Sequence, residues 1–289
     1  MSLTTKLSLK DQLPLTCSRS GTCCHGKNVG LNPWELACLA EAKGLKPGPF
    51  RDRYTDYGGT RLRFDGATSY KGLRSCSLYR PEFGCSVHAG RPLVCRLYPL
   101  GRQRQGEKLH YMHEGSHFPC MDGCPEVVNL PHMSVEYYIT GQDIKNGEEA
   151  QDEYLKMMQN IADGAFALLL ETGLAASGDR LCLRLWREMA REDPEQLAQR
   201  LGSLWIDLLM LPDLSPSKND PVSFCHLHDQ LIQRKAQEAF GKLDNESSYG
   251  EASGIMMGMA LHLGRSLGAN PSTLVEHWIA TAKEYGALD

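Results

Sequence analysis

The chain has 289 residues, eleven of them cysteine, with 31 lysines and arginines against 35 acidic residues. That length can bury a core without covalent staples, and the cysteine share is far below that of a small disulfide scaffold. An odd cysteine count excludes complete disulfide pairing. No apolar run approaches the ~18 residues of a bilayer helix, and the first residues lack the apolar centre of a secretory leader. The expectation is a cytoplasmic protein. There thiols stay reduced, and clustered cysteines bind metal or do redox chemistry.

Charge and cysteine divide the chain at the same place. Residues 1–133 hold nine cysteines and 18 basic against 11 acidic side chains, and the remainder holds two cysteines and 13 basic against 24. Two regions are therefore expected, a cysteine-rich metal-binding module at 1–133 and an α-helical region at 134–289. The first element is a helix opened by Asn32, with Pro33 at its first position and Glu35 completing a capping box. Leu36, Leu39 and Ala40 form its apolar stripe, and Gly44 stops it. Residues 47–74 read as loops, with a short strand or hairpin near Thr60–Phe64 and Ala67–Tyr70. Beyond 134 the period is helical. Tyr154, Met158, Ile161, Ala165 and Leu168/Leu169 form one stripe. Leu197, Leu201, Leu204/Trp205 and Leu208 follow Asp193-Pro194. Further helices span 222–243 and 248–268, and Asn270-Pro271 opens the last. Gly141–Glu149 is the best exposed joint.

Eight cysteines fall in three blocks rich in Gly and Pro. These are Cys17, Cys23 and Cys24; then Cys76, Cys85 and Cys95; then Cys120 and Cys124. Loops of this kind can bring several sulfurs to one point. Four thiolates hold a tetrahedral zinc ion or an iron–sulfur cluster, so eight could supply two sites, or one site and a spare set. The adjacent Cys23 and Cys24 have diverging side chains and would more easily serve two sites than chelate one ion. A four-thiolate centre carries about −2 net charge. Arg19, Lys27, Arg74, Arg80, Arg91 and Arg96 lie close in sequence and could offset it. The spacings fit neither the standard zinc-finger pattern nor the C-x3-C-x2-C run of radical enzymes. The metal is left open between zinc and iron, the iron either mononuclear or in a [4Fe–4S] cluster.

Cys17, Gly21, Cys23 and Cys24, together with Cys76, Cys85, Arg91-Pro92, Cys95-Arg96 and Tyr98-Pro99, resemble the YkgJ-type cysteine-cluster family. That family is described as zinc- or iron-chelating. Ser20 stands where the family motif has a second cysteine. Proteins similar to the flagellin lysine-N-methylase FliB belong to the same family. Their likeness implies methyl transfer from S-adenosylmethionine to lysines of a partner protein. No Gly-rich turn after a predicted strand supports that chemistry independently. A third reading is an iron–sulfur redox or sensor protein.

Other residues weigh less. His110, His113 and His117 form either a metal or proton-handling cluster or polar loop positions, and the loop reading is preferred. His25 could ligate or tune the site, and His88 is a weaker candidate. His226 and His228 are two apart and face different directions on a helix. Met256, Met257 and Met259 read as core, and Cys38, Cys182 and Cys225 as small buried hydrophobes. The basic surplus of the first half is too small, and too poor in interleaved aromatics, for nucleic acid. The expected fold is mainly α, an irregular cysteine-rich module with little β packed with an α-helical C-terminal half. Its expected partner is a metal ion or cluster, with a protein partner besides. No membrane partner is expected, and catalytic residues are unassigned.

Overall fold

The computed structural model describes all residues except 1–3, 18–19, 106–107, 116, 172–177, 216–219 and 244. It is mainly α-helical, with ten α-helices and several short sheets among the described residues. The chain resolves into two compact units. One comprises 1–29 and 62–148, and the other 30–61 and 149–289. The first holds all eight block cysteines and is called the cysteine unit; the second is the helical unit.

The cysteine unit is built on a three-stranded antiparallel sheet. Strand β8 (Lys108–Glu114) lies between β1 (Thr4–Leu7) and β7 (Gly101–Gln105). Its register sets Thr4 opposite Glu114, and Gly101 opposite Met112. Tyr111 of β8 turns inward onto a core of Leu15, Leu93, Leu97, Leu100, Phe118, Val127, Val135, Tyr138 and Ile144. Cys120 and Cys124 rest against that core. Burying one such aliphatic side chain stabilises by ~1.5–3 kcal/mol. Two helices complete the unit, α3 (Leu93–Leu97) and α4 (Val135–Gly141), the latter capped by the Ser134 side chain on the Tyr137 amide. The sheet was not legible in the sequence. Its polar edge strand GRQRQ carries no apolar face, and β8 buries only Tyr111 and His113.

In the helical unit, α1 (Pro33–Ala42) starts as expected. The Asn32 side chain accepts from the Glu35 amide at 2.9 Å, and the Glu35 carboxylate accepts from the Asn32 amide at 3.2 Å. It also stops as expected. Gly44 adopts φ 71°, its amide donates to Glu41 and the Leu45 amide to Ala40, which satisfies the last carbonyls. A second helix, α2 (Pro47–Tyr54), occupies residues expected to be loops. It buries only Phe50 and Tyr54, four positions apart, among prolines and arginines that mask the period. The pair β3 (Thr55–Asp56) and β4 (Arg61–Leu62) supplies part of the expected hairpin, but Tyr70–Gly72 is a 3-10 turn.

The long helices are α5 (Lys145–Glu171), α6 (Gly178–Arg191), α7 (Pro194–Met210), α8 (Pro221–Phe240), α9 (Glu246–Ser266) and α10 (Pro271–Glu284). Asp193, Asp220, Asn245 and Asn270 cap four of them with side-chain hydrogen bonds. Helix α9 is the central element, and its Met257, Met259, Ala260, Leu261 and Leu263 are completely buried. It packs against α6, α7 and α10. Cys38, Cys182 and Cys225 are buried, in keeping with their apolar settings. No helix among the described residues is long and apolar enough to cross a membrane.

Candidate metal centre

The first cysteine block forms a loop that ends in the 3-10 turn Thr22–Cys24. Gly21 enters that turn at φ 74°, and a Cβ there would lie 2.5 Å from the Tyr79 hydroxyl oxygen, so only glycine fits. The turn is tied to the second block by its backbone. The Cys76 amide donates to the Cys24 carbonyl at 2.8 Å, and His25 pairs with Ser75 across a β-bridge. From Cys76 the chain enters the hairpin of β5 (Tyr79–Arg80) and β6 (Gly84–Cys85), in which Tyr79 stands opposite Cys85. Helix α3 then presents Cys95.

The arginines and the tyrosine after Pro92 explain why this stretch needs its sequence. Arg96 donates to the carbonyls of Arg91 (2.8 Å), Ala89 (2.6 Å) and Gln142 (3.1 Å), so one guanidinium ties the loop before α3 to the end of α4. Its five fixed donors suit that bridging task, which lysine could not perform. The Tyr138 hydroxyl donates to the Tyr98 carbonyl at 2.7 Å, just past the end of α3. The third block turns back on the first. Ser20 Oγ hydrogen-bonds Cys124 Sγ at 2.7 Å, Thr22 Oγ1 reaches the same sulfur at 3.4 Å, and the Cys124 amide donates to the Cys120 carbonyl at 2.8 Å.

Electrostatic reach links the sulfurs further. Cys24 interacts with Cys23, Cys85 and Cys95, and Cys76 with Cys85. Cys120 interacts with Cys124, Cys23 and Cys17. The Cys24 thiol donates to the Cys23 sulfur. That bond, aided by Lys27 and Arg91, holds Cys23 down at about 7 and drives Cys24 well up. Burial pushes Cys76 up to about 11 and Cys120 up to about 12. Among the described residues, no three His, Cys, Asp or Glu side chains surround a common point as placed. No disulfide joins any of the eleven cysteines. The donors are all sulfur, half-buried apart from the exposed Cys17, and of the type that soft thiolate chemistry gives to zinc and iron.

Residues 16–114 match the model of the CxxCxxCC family, described as a "Putative zinc- or iron-chelating domain". This segment is similar to the CxxCxxCC domain. The match spans about a third of the chain, and it fits the YkgJ-type resemblance read from the motifs. Its description names zinc and iron, and neither a cluster nor a methyl donor. No curated protein and no solved structure matches the chain significantly.

The histidines separate from the cysteines. His25 is buried, with Nδ1 3.1 Å from the Gly21 carbonyl and Nε2 2.6 Å from Ser69 Oγ, so both ring nitrogens are engaged in holding the loop. His110 and His113 lie three apart on β8 and so face opposite sides of the sheet, while His117 lies beyond the strand. The helical spacing of His113 and His117 is not realised. His88 is exposed. On α8, His228 is fully buried between the Tyr154 hydroxyl (3.1 Å) and the Leu208 carbonyl (3.0 Å). His226 instead meets Glu153 at the surface. Of the basic residues expected near the sulfurs, Lys27 and Arg91 act on Cys23, and Arg96 is a scaffold bridge; Arg19 lies outside the described residues. Of three further residues, Tyr98 and Ser20 stand in the motif and Tyr138 had no sequence signal for a role here. Tyr98 and Tyr138 lie within electrostatic reach of Cys120 and Cys23, and Ser20 meets Cys124.

Proposed function

We propose that residues 1–133 form a metal-binding module in which thiolates drawn from Cys17, Cys23, Cys24, Cys76, Cys85, Cys95, Cys120 and Cys124 hold zinc or iron. The observation that carries this reading is that all eight sulfurs lie in one compact unit, whose first block is hydrogen-bonded to the second through Cys24 and Cys76 and to the third through Ser20, Thr22 and Cys124. The zinc- or iron-chelating family match over residues 16–114, within that segment, supports it. A bound ion would cross-link the loops that carry these cysteines, and iron would add electron transfer. The chain's own part is to deliver charge and remove protons. Cys23, held down at about 7, is available as thiolate near neutral pH, and Lys27 and Arg91 favour its charge. Cys76 and Cys120 keep their protons until they bind, so loading releases protons and strengthens as pH rises.

The same reading places the protein in the cytoplasm, where thiols stay reduced. The acidic balance of residues 134–289 would suit a basic protein partner. Anaerobic purification followed by elemental analysis for zinc, iron and acid-labile sulfide tests the proposal. A near-stoichiometric metal is expected, and Cys95→Ser should lower it. Less than about a tenth of an equivalent in the wild-type chain would overturn it. Iron with equal sulfide would assign a cluster.

A further inference from the structure

We infer that the eight cysteines serve two separate thiolate centres, with the Cys23–Cys24 peptide as the divide between them. One set is Cys24, Cys76, Cys85 and Cys95, and the other is Cys17, Cys23, Cys120 and Cys124. The inference rests on the metal-chelating reading above and adds the number of sites and their membership.

The backbone draws the division. Cys24 is bound to the second block through the Cys76 amide, and the Tyr79 amide donates to the Cys76 carbonyl at 2.9 Å. Tyr79 in turn pairs with Cys85 across the hairpin. A continuous run of hydrogen-bonded backbone therefore joins Cys24, Cys76 and Cys85. Cys124 belongs to a different run. Its sulfur meets Ser20 and Thr22, on the approach to Cys23, and its amide is fixed to Cys120. Hydrogen bonds to the third block thus arrive on the N-terminal side of the Cys23–Cys24 pair, and those to the second block on its C-terminal side.

The sulfurs follow the same partition. Cys24 interacts with Cys85 and Cys95, whereas the third-block sulfur Cys120 interacts with Cys23 and Cys17. The Cys23 and Cys24 thiols meet each other across the divide. Neighbouring side chains on one backbone diverge, so two adjacent thiolates more readily face two ions than share one. Four thiolates per set match the usual requirement of tetrahedral zinc or of one iron–sulfur cluster. Charge supports the count. Two such centres carry about −4 together. Lys27, seated over the Tyr98 ring at 4.8 Å, acts on both Cys23 and Cys120 of the second set.

Titration of the reduced full-length chain with Co2+ under anaerobic conditions tests the inference, read by the visible ligand-field bands of tetrahedral cobalt thiolate. Saturation at two Co2+ per chain is expected. The double variants Cys85→Ser/Cys95→Ser and Cys120→Ser/Cys124→Ser should each saturate at one, with far-UV circular dichroism reporting that the helices persist. Ser20→Cys, an exposed change beside Cys124, should keep two equivalents and alter the bands of one centre only. Saturation of the wild type at one Co2+ would overturn the two-centre inference while leaving metal binding intact. So would loss of all cobalt in both double variants, or retention of two equivalents in either. No thiolate bands in the wild type would instead sink the metal-binding reading itself.

Discussion

Leu183, Trp186 and Met189 of the helical unit have at most 1% of their surface exposed, whereas Cys17 is exposed and the other seven block cysteines are only half-buried. The helical unit buries long apolar stripes from α5 to α10, and its helix ends are capped by their own side chains. The cysteine unit has a core of about ten residues under two- to seven-residue strands and short 3-10 turns. Its loops depend on side-chain-to-carbonyl bridges such as Arg96 and Tyr138. A unit with few apolar contacts needs another source of stability, and a thiolate-bound ion is the source that small irregular modules use.

The contrast can be broken first by removing metal. A strong chelator should unmask amide exchange across 16–29, 62–100 and 118–130, while α7, α9 and α10 keep their protection. Binding to a structural zinc site is worth on the order of 10 kcal/mol, so this is the largest effect expected. Hydrogen-exchange mass spectrometry reads it, and equal loss of protection in both units would refute the division of labour.

Acid should strike the helical unit in its own way. Burial holds His228 and His262 down at about 4, against an ordinary value of 6.5. Between those values the unfolded chain binds protons that the folded chain refuses. Stability is therefore full above pH ~6.5 and falls as pH drops toward 4, by several kcal/mol for the pair. Neither nitrogen of His262 has a hydrogen-bond partner among the described residues. His262→Leu should accordingly flatten the pH dependence of urea midpoints in this window without lowering stability at pH 7. A variant as acid-sensitive as the wild type would show that His262 is not the titrating group.

Core truncation comes next. Trp186→Ala should cost the helical unit about 3–5 kcal/mol in denaturant unfolding while leaving metal content unchanged. Loss of metal in that variant would mean that the two units fail together. The smallest effect concerns one cap. Asn32→Ala removes the acceptor for the Glu35 amide and should cost about 1 kcal/mol, again without changing metal content.

How much of this was legible in the sequence depended on what kind of force shaped each element. Helix α1 could be read end to end because its start and stop are local, set by Asn32, Glu35 and Gly44. Helix α6 escaped notice although Cys182, Leu183, Trp186, Met189 and Ala190 recur at helical spacing and are buried. The arginines between them hid the stripe. Helix α2 and the sheet were set by tertiary contacts that no local pattern records. For the site, cysteine spacing and the Arg-Pro-x-x-Cys-Arg-x-Tyr-Pro run named the candidate donors. Ser20 and Tyr98 stood in the motif, but what they face, and the whole placement of Tyr138, depended on proximity in space that no local pattern records.

The discontinuous make-up of the units has a consequence for biosynthesis. The last residue of the cysteine unit is 148, and residues 149–289 of the helical unit are made afterwards. At ~5–20 residues per second, synthesis of that stretch takes roughly seven to thirty seconds. During that interval the proposed thiolate sites would already be able to take up metal. Helix α1, by contrast, emerges early and must wait for α7 and α8, its later packing partners. Its capping box and glycine stop bias that ten-residue segment toward its final bounds, but so short a helix is marginal until those neighbours are made.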